Sequence, residues 1–247
     1  MLLRSEAGGT VAIGQPAHAW VSGQLARAWA EPFEPHEEVC LAAEQHDVAW
    51  VDWERAPELD PETGLPYAFS ALPRLRRLEL WSGAAAQLVS QSRYAALLVS
   101  LHGTLLVERF PPEGGEEVAA AVAGYLERER AFQARLFDSL REDPRYAPHA
   151  SEEAVARNRE LVFAWDGLSL ALLHGVREER KAAGLALAPV GGSAERVSVS
   201  PWPFRKEAVT VVCEGRVLSE TFRAEEELRR GLARAPWVTV ETRLVPS

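Results

Sequence analysis

The run LVFAWDGLSLALL, residues 161–173, sets Asp166 among large apolar side chains on both sides of it. A helix of that composition is buried, and a carboxylate inside it is costly unless it is hydrogen-bonded, paired, protonated or bound to a metal. The same kind of intrusion recurs on three other apolar segments. Asp47 follows His46 in LAAEQHDVAW, His18 interrupts QPAHAWVSG, and His102 interrupts YAALLVSLHGTLLV. Any fold open to this chain must bring polar partners to the middle of several apolar helices.

A long helical middle lies between two strand-like ends. LLRSEAGGTVAIGQ carries two short β-type runs around Gly8-Gly9, the mark of a hairpin. Helices are expected from near Pro16, from near Pro35 through Trp50, and over Arg74–Val89, Tyr94–His102, Glu116–Arg141 and Glu152–Lys181, the last with Ser151 as N-cap. From Ala56 to Pro73, APELDPETGLPYAFSALP predicts a long irregular loop of the lid type. In the tail, AVTVVCEGRVLSETF alternates across an expected Glu214-Gly215 turn, AEEELRRGLARA is a short helical stretch, and WVTVETRLV reads as another strand. The expected fold class is mainly α, a single domain over 1–247. It has a helical core over about 16–185 and a small β-rich C-terminal subdomain over about 195–247, with a small antiparallel sheet formed by the N- and C-terminal segments.

The 247 residues, 47% of them hydrophobic, supply enough apolar surface for such a core. Cys40 and Cys213 are the only cysteines, which excludes a disulfide framework and a thiolate zinc cluster. No apolar run has the length of a signal-peptide core or a bilayer span, so the expectation is a soluble cytoplasmic protein with no membrane partner. A net charge of -9 argues against nucleic acid as a partner and leaves room for a local basic patch holding one small anion.

A metal ion satisfies most of the intrusions at once. Adjacent helical residues point about 100° apart, so His46 and Asp47 converge on an ion lying over the wedge between them. His18 and Asp166 are the natural further ligands. Two imidazoles and two carboxylates suit one divalent transition metal, Mn, Fe, Co, Ni or Zn, and suit Mg less. Alternatives remain for each: Asp166 can pair with an arginine, His18 can donate to a carbonyl, and His102, followed by Gly103, can cap its helix. His36 reads as solvated, His149 as loop, and His174 as core or cap.

The order His18, His46-Asp47, Asp166 on successive helices resembles the HD-domain superfamily of metal-dependent phosphohydrolases. QPAHAWVSGQLARAW, LAAEQHDVAWVDWE, LDPETGLPYAF, YAALLVSLHG and WDGLSL resemble segments of a bacterial domain family of unknown function. The superfamily resemblance implies an HD-domain-like helical bundle, His18, His46, Asp47 and Asp166 as metal ligands, and hydrolysis of a small phosphorylated or nucleotide-like substrate by metal-activated water. Two-metal members of that superfamily hold a second ion through further histidines, for which this sequence offers His102 clearly and His149 poorly. Asp47 and His102 are then the catalytic candidates, Asp47 orienting the water and His102 serving as acid, phosphate donor or additional metal ligand. Trp20, Trp50, Tyr67 and Arg93 are candidate substrate contacts, with Arg74, Arg76 and Arg77 as other possible cations. Two other functions fit the same residues: a non-catalytic metal-binding sensor or interaction module, forming a homodimer through its C-terminal sheet, and a diiron oxygenase, which the shortage of histidines disfavours.

Overall fold

In the computed structural model, which describes residues 1–111 and 114–247, period-two alternation gathers into one large sheet and apolar helical stripes cover it. The chain begins with β1 (Leu2–Glu6) and β2 (Gly9–Ile13), then α1 (Gln15–Ala28), α2 (His36–Gln45) and α3 (Trp50–Arg55). A two-stranded hairpin, β3 (Leu59–Asp60) and β4 (Leu65–Pro66), precedes α4 (Arg74–Trp81), α5 (Arg93–Arg109), α6 (Glu116–Arg141) and α7 (Glu152–Leu173). The remainder is β5 (Arg180–Ala182), β6 (Leu185–Val190), β7 (Ser193–Ser200), β8 (Val209–Leu218), α8 (Glu225–Arg234) and β9 (Trp237–Pro246).

Seven strands run in the order β1-β2-β8-β9-β7-β6-β5, antiparallel except for the β7–β9 pair, and curl into a half-barrel. With about 49% helix and 22% strand, the protein is not mainly α, and neither an all-α class nor a small terminal sheet describes it. Two local features explain the difference. The strands β5 to β7 draw on alanine and serine, as in LALAPV and SAERVSVS, which carry little β signal, so strand structure begins at Arg180 rather than near 195. Glu214-Gly215 is no turn: β8 runs straight through it, paired with β2 on one side and β9 on the other. Gly215 serves close approach instead, since a Cβ there would stand 3.0 Å from Val11 Cγ1 and 3.3 Å from the Ala12 carbonyl oxygen.

The inward residues Leu187, Val197, Val199, Val211, Cys213, Val240 and Leu244 form one core with Val21 and Leu25 of α1 and Leu168 and Leu172 of α7. Each such aliphatic side chain contributes roughly 1.5–3 kcal/mol on burial. Along β8, pairing with β2 covers only Gly215–Leu218. Beyond that stretch the amide of Gln24, on α1, takes over: its Nε2 donates to the Val212 carbonyl (2.7 Å) and its Oε1 accepts from the Val212 N–H (3.0 Å). The sheet edge is thereby stapled to α1.

Two expected helices are interrupted. The helix from Pro35 does not continue through Trp50; it ends at Gln45 and resumes as α3, with i to i−3 bonds from Val48, Trp50 and Val51 between. Arg74–Val89 breaks at Gly83, whose φ of +76° ends α4 ahead of a 3-10 turn over Ala85–Leu88. Ser151 caps α7, accepting from the Ala154 N–H at 3.1 Å. The 56–73 segment holds the β3–β4 hairpin and is tied to the C-terminal region by the Phe222 N–H donating to the Gly64 carbonyl (2.7 Å). Among the described residues no helix is long and apolar enough to cross a membrane.

Candidate metal centre

Five of the ionisable groups singled out by burial cost meet at one point. His18 comes from α1, His46 and Asp47 from the break after α2, His102 from α5 and Asp166 from α7, all buried. The break after α2 explains the central pair. A helix end leaves its last carbonyls without intrahelical partners, and His46 Nδ1 donates to one of them, Ala43 O, at 2.8 Å. A carbonyl only accepts, so Nδ1 carries a proton and Nε2, turned toward the cluster, is the nitrogen that can take a further proton or an ion.

His18 is fixed by the same logic. Ser169 Oγ donates to the Asp166 carbonyl (2.9 Å), so it accepts from His18 Nδ1 at 2.6 Å. Ser22, one turn along α1 from His18, donates to the same Ser169 oxygen at 2.9 Å. His18 Nε2 is thereby likewise the nitrogen that can take a further proton or an ion, and it lies only 3.0 Å from His46 Nε2 and 3.0 Å from Asp47 Oδ2. Asp166 Oδ1 completes the group, 3.6 Å from each of the two imidazole Nε2 atoms, and His46 Nε2 is 3.7 Å from Asp47 Oδ2. Four acceptor atoms at these separations repel one another unless a proton or a cation lies among them. Ligands sharing one ion tetrahedrally at about 2.0–2.2 Å stand about 3.3–3.6 Å apart; the five separations around His18 and His46, 3.0 to 3.7 Å, bracket that value, while Asp47 and Asp166 fall in two different metal-competent groups.

The electrostatics point the same way. Burial disfavours the charged form of His46, but Asp47, Asp166 and the Ala43 carbonyl outweigh it and push the ring up to about 9. Burial likewise opposes the charge on Asp166, yet His102 and His46 hold its carboxyl well below the usual range. Asp47 is also lowered against its burial, by His46 and His18, with Asp166 opposing. Gln15 supports Asp47 from the first turn of α1, its Nε2 donating to Asp47 Oδ2 at 3.0 Å. Glu54 on α3 in turn accepts from the Gln15 N–H at 2.6 Å, serving a helix start whose N-cap, Gly14, has no side chain to do so.

His102 stands apart from the four. Its Nε2 is 3.4 Å from Asp166 Oδ2, outside good hydrogen-bond geometry, and neither ring nitrogen has a hydrogen-bond partner among the described residues. The buried groups His18, His46, Asp47 and His46, His102, Asp166 can each hold a metal ion. They share His46, whose one uncommitted nitrogen serves a single ion.

A cavity of about 500 Å³ opens onto this cluster. Trp50 lines it, with a buried indole N–H that has no partner among the described residues. Trp20, Tyr67 and Arg93, the other expected substrate contacts, do not line it. Trp20 is 44% exposed, and Tyr67 packs against the buried cluster that holds Trp50, Trp53 and Leu72. Arg93 is committed to the Ser139 carbonyl (3.1 Å), the Ser139 hydroxyl and the Asp143 carboxylate. His36 pairs with Glu37, His149 lies in a short 3-10 turn, and His174 caps α7. The sequence reading passed over Gln15, Ser22 and Ser169. Each is a small or neutral polar group three or four residues from a ligand candidate on the same helix face, and that spacing was the available signal.

No curated protein and no solved structure matches the chain. The family model described as "Protein of unknown function (DUF3891)" matches residues 1–220, and the chain therefore belongs to the DUF3891 family.

Proposed function

We propose that the protein is a metal-dependent phosphohydrolase whose centre follows the HD pattern, His18, His46-Asp47 and Asp166, set in a frame of helices and a half-barrel sheet. The observation that carries this reading is the set of imidazole and carboxylate atoms gathered 3.0 to 3.7 Å apart around His18 and His46 at the foot of an open cavity. A divalent transition metal bound there supplies a Lewis acid for a phosphoryl oxygen and lowers the pKa of its water. His18 and His46 offer Nε2 atoms whose orientation is set by Ser169 and the Ala43 carbonyl. Asp47, steadied by Gln15, holds negative charge on the cavity side and orients the attacking water. His102, next to the outer oxygen of Asp166 and free of other hydrogen bonds among the described residues, carries the proton to the leaving oxygen.

The test is elemental analysis of protein purified without chelator, followed by a panel of phosphomonoesters with Mn, Co, Ni and Zn. About one metal per chain is expected, with Asp166→Asn reducing it at least tenfold and turnover following the metal. Full metal retention in that variant would sink the centre; metal without turnover of any ester would favour a binding module.

A further inference from the structure

One stripe of α4 forms part of the cavity wall. Arg74, Arg77, Leu78 and Trp81 fall at helical spacing and line the cavity. Arg76 points elsewhere, held by Glu58 (2.9 Å) and Glu79 (3.0 Å). Arg77 is half-buried and, among the described residues, has no hydrogen-bond or ion-pair partner, while burial and its neighbour Arg74 depress its pKa. A guanidinium in that position gains from an anion between it and the metal centre.

The rest of the wall is apolar. Trp50, Phe69, Leu106, Phe163 and Leu170 surround the space. Phe110, 66% exposed and also on the lining, carries the apolar wall outward to solvent. Apart from the His/Asp cluster, Gln15 and the two arginines are, among the described residues, the lining residues with charged or amide side chains. A sugar or polyphosphate would bury hydroxyls and oxyanions against this wall without partners, which weakens binding, whereas an alkyl or aryl group would shed water along it. The volume, about 500 Å³, falls within the range of small-molecule sites and far exceeds a phosphate alone.

The geometry points to a ligand with a single anionic phosphate head and an apolar body, the head held between Arg77 and the His/Asp cluster and the body against the aromatic and aliphatic wall. For the reaction this rests on the phosphohydrolase reading; for binding it stands on the cavity itself. Isothermal titration of the full chain, with and without added Mn, against methyl-, phenyl- and hexylphosphonate tests it. Phenyl- and hexylphosphonate are expected to bind at least tenfold tighter than methylphosphonate in both conditions. Arg77→Met is expected to weaken hexylphosphonate at least tenfold at unchanged metal content and unchanged thermal stability, and Arg77→Lys to recover part of the loss. Equal affinities across the series, or wild-type binding by Arg77→Met, overturn the inference. Preferential hydrolysis of sugar phosphates over aryl and alkyl phosphates also overturns it and leaves the hydrolase reading intact. The expected phosphonate order with no phosphoester turnover fails the hydrolase reading alone.

Discussion

Ser169 does more for the centre than its size suggests. It fixes the tautomer of His18 and is itself fixed by Ser22 and the Asp166 carbonyl. Partners of this kind that orient a metal-binding imidazole are worth about 10–100-fold in affinity when removed. Ser169→Ala is therefore expected to weaken metal binding by about that factor with the fold intact, as read by competition against a chromogenic chelator; unchanged affinity would show that His18 needs no orienting partner. The four principal ligand candidates were legible because a buried carboxylate or imidazole demands a partner, and that demand shows in a sequence as a polar residue inside an apolar run. Ser169 raises no such demand, since a serine on a buried helix face satisfies itself on the helix's own carbonyls. Trp20 and Trp50 look alike in sequence, but Trp20 lies two residues past His18, about 200° round the helix, whereas Trp50 lies one i to i−3 bond past Asp47 and faces the same space.

Helix α1 owes its start to a group from another element. Glu54, half-buried on α3, accepts from the Gln15 N–H and lies 3.9 Å from the Met1 ammonium. Burial outweighs these stabilising contacts and pushes its carboxyl up to about 7. A folded-state pKa above the unfolded value means that the fold favours the protonated form. That contribution is fully present below about pH 4.5 and is lost as pH rises through about 7. Glu54→Gln keeps an acceptor oxygen and cannot ionise. Its stability relative to the native chain is expected to grow between pH 5 and pH 8, by up to about 3 kcal/mol, as measured by urea unfolding at the two pH values; parallel pH profiles would contradict it. At this scale the sequence was an uneven guide. The start of α7 was plain from Ser151, but the helix expected through Lys181 ends at Leu173, with Gly175 following and β5 taking Arg180 and Lys181, while the break after α2 was hidden because QHDVAW contains no glycine or proline to announce it. The size of the sheet is hidden in the sequence for a related reason: alanine and serine strands gain their stability from neighbours across the sheet rather than from propensity.

In the molecule as a whole, the four ligand candidates come from two helices, α1 and α7, and the break after α2, so an ion held there ties together elements that are distant in sequence. A ligand that binds only the folded state adds about 2.7 kcal/mol of stability at a hundredfold excess over its Kd. Zinc or manganese is accordingly expected to raise the thermal midpoint of the native chain and leave that of Asp166→Asn unmoved. The Gln24 amide makes this stabilisation visible at a place with no part in the chemistry. Helix α1 presents His18 to the centre and grips Val212 through Gln24, so it acts as a strut between the cluster and an unpaired sheet edge. Tightening one end restrains the other. The Val212 amide proton then becomes a gauge of occupancy, exchanging with deuterium more slowly when metal is added to the native chain and at an unchanged rate in Asp166→Asn.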